Sequence, residues 1–452
     1  MKDLTQGSIP RHLLALSVPM ALGMMLQTLY WFVDLYFVSQ LGDAAIAGVS
    51  AGGNLMFVVL MLTQMLAVGS VAMISHAVGR KDQDEANHVF NQSVAIGVAC
   101  AALTLVGGYG FAGPYMGFFA ADEATRAAGL AFMHAFIPGM ALQFAIVVLG
   151  SGLRGTGIVK PTAIVQALTV ILNVILAPVL IAGWGTGKPL GVAGAGLATT
   201  ISVTIGVAVL VAYFVRLEHY VTLDPARWRP NLATWGRLLN IGLPAGGEFG
   251  LMAIFVGVIY WVARDWGAAA QAGIGVGLRT QQMIFVPALA VAFAASPIAG
   301  QNFGARDGAR VRETFHVALR YGAIVMAVFT ALVQWKSEGL ARIFTTDPAV
   351  IAVAALLLHY LSWNFIPSVV TMTCSTLFQS MGNSWPALGA SAIRIVTFMI
   401  PAIWMARQRW FELRYLFMLS VVTVLLHGVV SYVWLQAEMR KRLPARDPEI
   451  RQ

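Results

Sequence analysis

The chain has 452 residues, is 58% hydrophobic and only 11% charged, where a soluble globular chain carries about 25% charged residues. A mean hydropathy of +0.75 excludes water as the main solvent of its surface. The net charge of +9 is spread along the polar joints instead of forming one patch, which argues against a nucleic-acid partner.

Apolar runs recur from end to end, each long enough to cross a hydrocarbon layer of ~30 Å as a helix of roughly 20 residues. In chain order they predict spans at 13–38, 48–74, 91–113, 128–150, 161–183 and 191–215. A second set follows at 238–263, 272–299, 315–335, 349–376, 386–406 and 413–436. Lipid leaves backbone polar groups no outside partner, so helices are expected. The first span carries Pro19, Gln27 and Asp34 and has no small-residue cleavage site, so it reads as mature fold and not as a secretory signal. The fold class expected is all-α and membrane-integral, with twelve transmembrane helices.

Adding 225 to a residue number in the first half lands on a matching residue in the second. Pro19 meets Pro244, Gly42 meets Gly267, Gly79 meets Gly304, His134 meets His359, Gly157 meets Gly382 and Pro161 meets Pro386. Glycine and proline are the residues that backbone geometry restricts most, so their coincidence carries more weight than matched leucines. Each half holds six spans, an even number, so the two six-helix bundles form a parallel repeat. Two such bundles around a cavity have the geometry of alternating access, and transport is the expected activity, with no enzymatic chemistry. The expected division is an N-terminal lobe at 1–215, a cytoplasmic linker at 216–237, a C-terminal lobe at 238–436 and a cytoplasmic tail at 437–452.

With both ends inside, the inner segments hold 18 of the 29 lysines and arginines, the outer joints and their edges 8, and the spans 3, namely Arg279, Arg320 and Arg394. The positive-inside rule therefore predicts a multi-pass protein of the inner (plasma) membrane with cytoplasmic termini. Cys100 and Cys374 both fall in spans and read as small apolar residues.

Of the 20 acidic residues, only Asp34 and Glu248 lie well inside predicted spans. An ionisable group at membrane depth costs at least ~2.5 kcal/mol, so it marks a cavity or a partner. Gln27, Tyr30 and Asp34 are spaced by three and four and share one helix face. Glu248 follows Pro244 by one turn among small residues, and reads either as an ion site or as the neutralising partner of Arg279 or Arg394. His134 and His359, as repeat mates, read as packing residues. The stretch 150–155 matches a dinucleotide fingerprint but ends a membrane helix with no strand before it. Neither a Walker motif nor a Cys and His cluster with metal spacing is present, so no cofactor is expected beyond a coupling proton or sodium ion.

The segment 32–38, followed by Leu41-Gly42 and Ala47-Gly48-Val49, resembles the opening motif of the multidrug and toxic compound extrusion (MATE) family. Pro287 to Ala299, followed by Gly300-Gln301-Asn302-Phe303-Gly304-Ala305, is similar to that family's second-half signature. The resemblance implies an antiporter that exports small organic cations or amphiphiles as a monomer in membrane lipid. It implies Asp34 as an ion-coupling carboxylate with Gln27, Tyr30, Asn173 and Thr199 around it, and places Glu248 at a polar or acidic seventh-helix position of the second lobe. Arg394, seven residues before Pro401, resembles an eleventh-helix motif. The ion-coupling candidates are thus Asp34, Asn173 and Glu248, and the cavity candidates Gln27, Tyr30, Thr199, Arg279 and Arg394. Ala177 stands where many members carry an aspartate, a pattern that leans toward the DinF-like branch. The rival reading is a flippase for a lipid-linked precursor, which would need arginines such as Arg279 and Arg394 to hold a pyrophosphate.

Overall fold

The structure, a computed structural model, describes residues 1–120, 122–185 and 187–443, with the side chains of residues 28–35 outside that description. The first half runs through α1 (Ile9–Ser39), α2 (Asp43–Gly53), α3 (Leu55–Gly79), α4 (Gln83–Phe119), α5 (Glu123–Gly155), α6 (Lys160–Ile181) and α7 (Val192–Arg216). The second runs through α8 (Leu232–Ala263), α9 (Gly267–Gly304), α10 (Gly308–Arg342), α11 (Pro348–Leu361), α12 (Phe365–Ser380), α13 (Trp385–Met405) and α14 (Leu413–Arg442). Among the described residues, 11 stretches are long and apolar enough to cross a membrane. One of them, Leu232–Gly304, is 73 residues long and contains both α8 and α9, which brings the crossings to the expected twelve.

Several helices outrun the apolar windows that predict them. The third span, expected at 91–113, belongs to a helix that starts at Gln83, because Asp82 accepts a hydrogen bond from the Glu85 amide at 3.0 Å and nucleates it early. The repeat mate Asp307 does the same for the Arg310 amide at 3.0 Å. Asp122 and Asp347, another repeat pair, cap α5 and α11 through the amides of Thr125 and Ala349. Two spans are broken. The second is divided at Asn54, between α2 and α3, where the amide shares its bond between the carbonyls of Ser50 and Ala51, and the tenth winds into a 3-10 turn at Ser362–Asn364. Pro367 has no N–H to offer the Trp363 carbonyl and its ring crowds that group, which accounts for the second break.

The 225-residue offset is written into the backbone. Lys81 and Arg306 both sit at φ 60, a left-handed conformation uncommon for residues with a Cβ, and Gly157 and Gly382 sit at φ 77 and φ 78. Tyr109 donates to the His134 carbonyl at 2.9 Å, and its repeat mate Gln334 donates to the His359 carbonyl at 2.8 Å. The glycines of 150–155 serve packing: a Cβ on Gly152 would meet the Phe90 ring, and one on Gly155 would meet Ile74.

The compact units divide inside α1 and α8 and not at the ends of the linker. The first comprises Met1–Asp3 and Leu22–Gly242, and the second Leu4–Ala21 and Leu243–Gln452. In the first unit, Phe132, Phe136, Met140 and Phe144 of α5 centre an apolar core, and α3 crosses the start of α8 so closely that a Cβ on Gly242 would run into the Met65 carbonyl. The linker is bound to α4. Gln92 donates to the carbonyls of Arg227 and Arg229 at 2.7 and 2.8 Å, Asn91 donates to that of Thr222 at 2.9 Å, and Trp228 donates to Asn91 at 3.1 Å. A cavity of about 680 Å³ lies there, lined by His88, Arg227 and Asn231 among others.

In the second unit, the segment before α1 is bound to the second-half signature. The Leu4 amide donates to Gln301 at 2.9 Å, Asn302 donates to the Leu4 carbonyl at 3.2 Å, and Arg310 bonds Asn302 at 2.9 Å and the Gly7 carbonyl at 3.0 Å. Leu4, Ile9 and Leu13 are fully buried there. A main-chain strap held by three side chains thus fixes the start of α1 in this unit.

Candidate functional site

Asp34 and Tyr30 lie outside the described residues. Their predicted neighbours can be placed, all in the first unit. Gln166 of α6 donates to Gln27 of α1 at 2.8 Å. Asn173, one heptad further along α6 and nearly inaccessible, donates to the Thr199 hydroxyl of α7 at 3.2 Å. Thr199 in turn donates to the Ala195 carbonyl at 3.3 Å. Ala177 is fully buried within the apolar core of this unit, one turn beyond Asn173, and supplies no ligand atom from its side chain.

Glu248 is half-buried on α8 in the second unit. Pro244 and the small residues after it let α8 approach α13, where a Cβ on Gly247 would come within 3.1 Å of Leu388. Across from it on α12, the Ser375 hydroxyl lies 2.9 Å from each carboxylate oxygen, and Gln379, one turn on, donates to that hydroxyl at 3.0 Å. Gln379 occupies the acceptor side of the hydroxyl, so the serine proton points at the carboxylate. An ionised carboxylate offers about four lone-pair sites, and one hydroxyl proton satisfies one of them. No ion pair joins Glu248 to Arg279 or Arg394, which leaves the acid with acceptor capacity to spare.

Arg279 is exposed on α9. Arg394 of α13 lies over the Phe255 ring of α8, its guanidinium carbon 4.4 Å from the centroid. Phe255 also packs against Phe398 at 4.6 Å. Beside Arg394, Ser391 and His427 of α14 are 3.4 Å apart. Cys100 and Cys374 are free thiols, and no group of His, Cys, Asp and Glu fit for a metal occurs among the described residues. Ser375, Gln379, Phe255 and His427 were not legible as site residues. The first two are hidden because α12 also carries Ser368, Thr371, Thr373, Thr376 and Ser380, so nothing in its sequence singles out Ser375 and Gln379.

A twelve-helix bundle of two parallel repeats, with ionisable groups at membrane depth, has the architecture of a membrane transporter. The chain belongs to the MatE family, whose model matches residues 19–179 and 244–405, two stretches that start 225 residues apart. It is a multi-pass membrane transporter and not an enzyme. It is 25% identical over 413 residues to the FAD transporter of Shewanella oneidensis, covering 89% of each chain. It is also 25% identical over 392 residues to the multidrug export protein MepA of Staphylococcus saprophyticus, covering 84% of this chain and 83% of that one. An outward-facing MATE multidrug transporter of the MOP superfamily superposes with a TM-score of 0.90 at 21% identity, covering 98% of both chains. A Pyrococcus furiosus transporter of that superfamily, described as having a binding pocket of reversed polarity, superposes equally well, with a TM-score of 0.90 at 21% identity over 98% of both chains.

Proposed function

We propose that this chain is an ion-gradient-driven antiporter, coupled to protons or sodium, that exports cationic or amphiphilic organic compounds by alternating access of its two lobes. It works as a monomer in the plasma membrane with both termini in the cytoplasm, and needs no cofactor besides the coupling ion. The observation that carries this reading is Glu248, a membrane-depth carboxylate with one hydroxyl donor and, among the described residues, no cationic partner. Such a group takes a proton or a small cation, and its charge then differs between the two states of the cycle. A ligand shifts a conformational equilibrium only by the difference in its affinity for the two states, and a carboxylate that is filled in one and empty in the other supplies that difference. In the first lobe, Asp34 follows Gln27 and Asn173 follows Gln166 by the same seven residues, which supports Asp34 and Asn173 as a second ion-coupling pair. Relatives named for multidrug export and for FAD transport support an organic cargo.

The test is flux in proteoliposomes with proton and sodium gradients imposed separately. Wild-type protein should drive uphill movement of a fluorescent organic compound under one of them. Asp34→Asn and Glu248→Gln should fold and lose that drive. Wild-type rates in both variants would remove the two acids from the mechanism.

A further inference from the structure

We infer that Arg394 is the hydrogen-bond donor that holds an acidic group of the transported compound, so that the cargo includes amphiphiles bearing a carboxylate or phosphate. The inference rests on the transport reading and adds the charge of the substrate to it.

Arg394 stands midway along α13, in the eleventh membrane crossing. A guanidinium at that depth normally finds a carboxylate, because its charge is costly in hydrocarbon and stays costly if left unmatched. Among the described residues its one charge-directed contact is the face of Phe255. Its Nε is buried with no hydrogen-bond partner, and no described side chain accepts from the terminal nitrogens. The acid closest in character, Glu248, sits on the same face of α8 as Phe255, seven residues away, or about 10 Å along the helix axis, and is engaged by Ser375 instead. His427 adds a second orphan: its Nδ1 is buried and unpartnered while Nε2 meets Ser391. The neighbourhood therefore holds an unpartnered guanidinium donor, an imidazole nitrogen without a partner and an aromatic wall. A planar guanidinium with free forked N–H groups is the side chain best matched to a carboxylate or a phosphate. The ring beneath it holds the fork in place and leaves its edge available.

The experiment compares two dyes built on the same tricyclic ring, anionic fluorescein and cationic rhodamine 6G, by fluorescence anisotropy with the purified full-length protein in a neutral detergent. Wild-type protein should bind fluorescein, Arg394→Gln should weaken that binding by about tenfold or more, and Arg394→Lys should recover part of it, since it restores charge without the fork. Rhodamine 6G binding should change by less than about twofold in both variants. The inference is overturned if wild-type protein ignores fluorescein, if Arg394→Gln binds it as tightly as wild type, or if phosphatidylglycerol displaces the dye, which would assign the guanidinium to a lipid headgroup. Should the glutamine variant not purify, the dye preference of the wild type and the lysine variant decides the matter. Arg394-dependent binding without gradient-driven flux would leave the inference standing and sink the transport reading. Gradient-driven flux of rhodamine 6G with no fluorescein binding would do the reverse.

Discussion

The hydroxyl of Ser375 competes with any ion for Glu248. It is within 2.9 Å of both oxygens and held in that role by Gln379, so a cation entering the site must share or displace a hydrogen bond to a charged group. Such bonds contribute about 1.5–3 kcal/mol. Ser375→Ala removes the competitor without touching the acid. The coupling ion should then bind about tenfold more tightly and leave more slowly, seen as a lower ion concentration for half-maximal substrate release together with reduced turnover. An unchanged ion dependence would mean that the serine only packs. The same geometry explains why the acid was readable and its partner was not. A lone glutamate among apolar residues announces itself by cost, whereas Ser375 lies 127 residues away and a serine in a membrane helix is ordinarily satisfied by its own backbone. Phe255 under Arg394 was invisible for a related reason, since one phenylalanine among 24 carries no mark of the charge it will meet.

Helices are where close approach is decided. Near its start α8 meets α3 at Gly242, where any side chain would collide with the backbone carbonyl of Met65, and α3 offers Gly69 against Leu238 in the same crossing. Backbone cannot move aside as a flexible side chain can, so Gly242→Ala should cost about 1–3 kcal/mol and lower the unfolding temperature in detergent. Gly257, further along the same helix, has nothing within 4 Å of where its Cβ would stand. There alanine should stabilise by about 0.5–1 kcal/mol, and the pair together separates steric cost from helix propensity. Helix identity and the repeat were legible because Gly and Pro positions are dictated by backbone geometry, whereas the Asp caps that start α4 and α10 early came only with the structure. The interruptions at Asn54 and at 362–364 were not predicted, although Gly52-Gly53-Asn54 and Pro367 stand beside them, because a glycine or proline in a membrane helix is tolerated as often as it breaks one. The strap on Gln301, Asn302 and Arg310 was hidden for another reason. It is bonded through the main chain of Leu4 and Gly7, atoms that every residue carries, so the sequence of the strap holds no trace of it. Gln301 and Asn302 were noticed as part of a motif, and their partner came only with the fold.

For the whole molecule, the parity of the repeat fixes which surfaces face the same side. Six crossings per half return the chain to its starting side, so repeat mates share a compartment; an odd number would place them in opposite ones. Lys81 and Arg306 are repeat mates, both exposed and both in the left-handed turn between consecutive helices. Trp184 and Arg409 are another exposed pair, in joints expected on the other face. With Cys100 and Cys374 replaced by alanine, single cysteines at these four positions can be probed in intact cells with a membrane-impermeant maleimide. The basic inner segments predict that Lys81→Cys and Arg306→Cys stay unlabelled until the cells are opened, and that Trp184→Cys and Arg409→Cys label at once. Each pair must agree within itself if the repeat is parallel, whichever way the protein is inserted. Disagreement within a pair would break the repeat, and agreement with both pairs reversed would overturn the orientation alone. The two results carry different consequences for the mechanism: the first removes the twin-lobed frame on which alternating access depends, while the second keeps that frame and exchanges the sides from which ion and cargo enter.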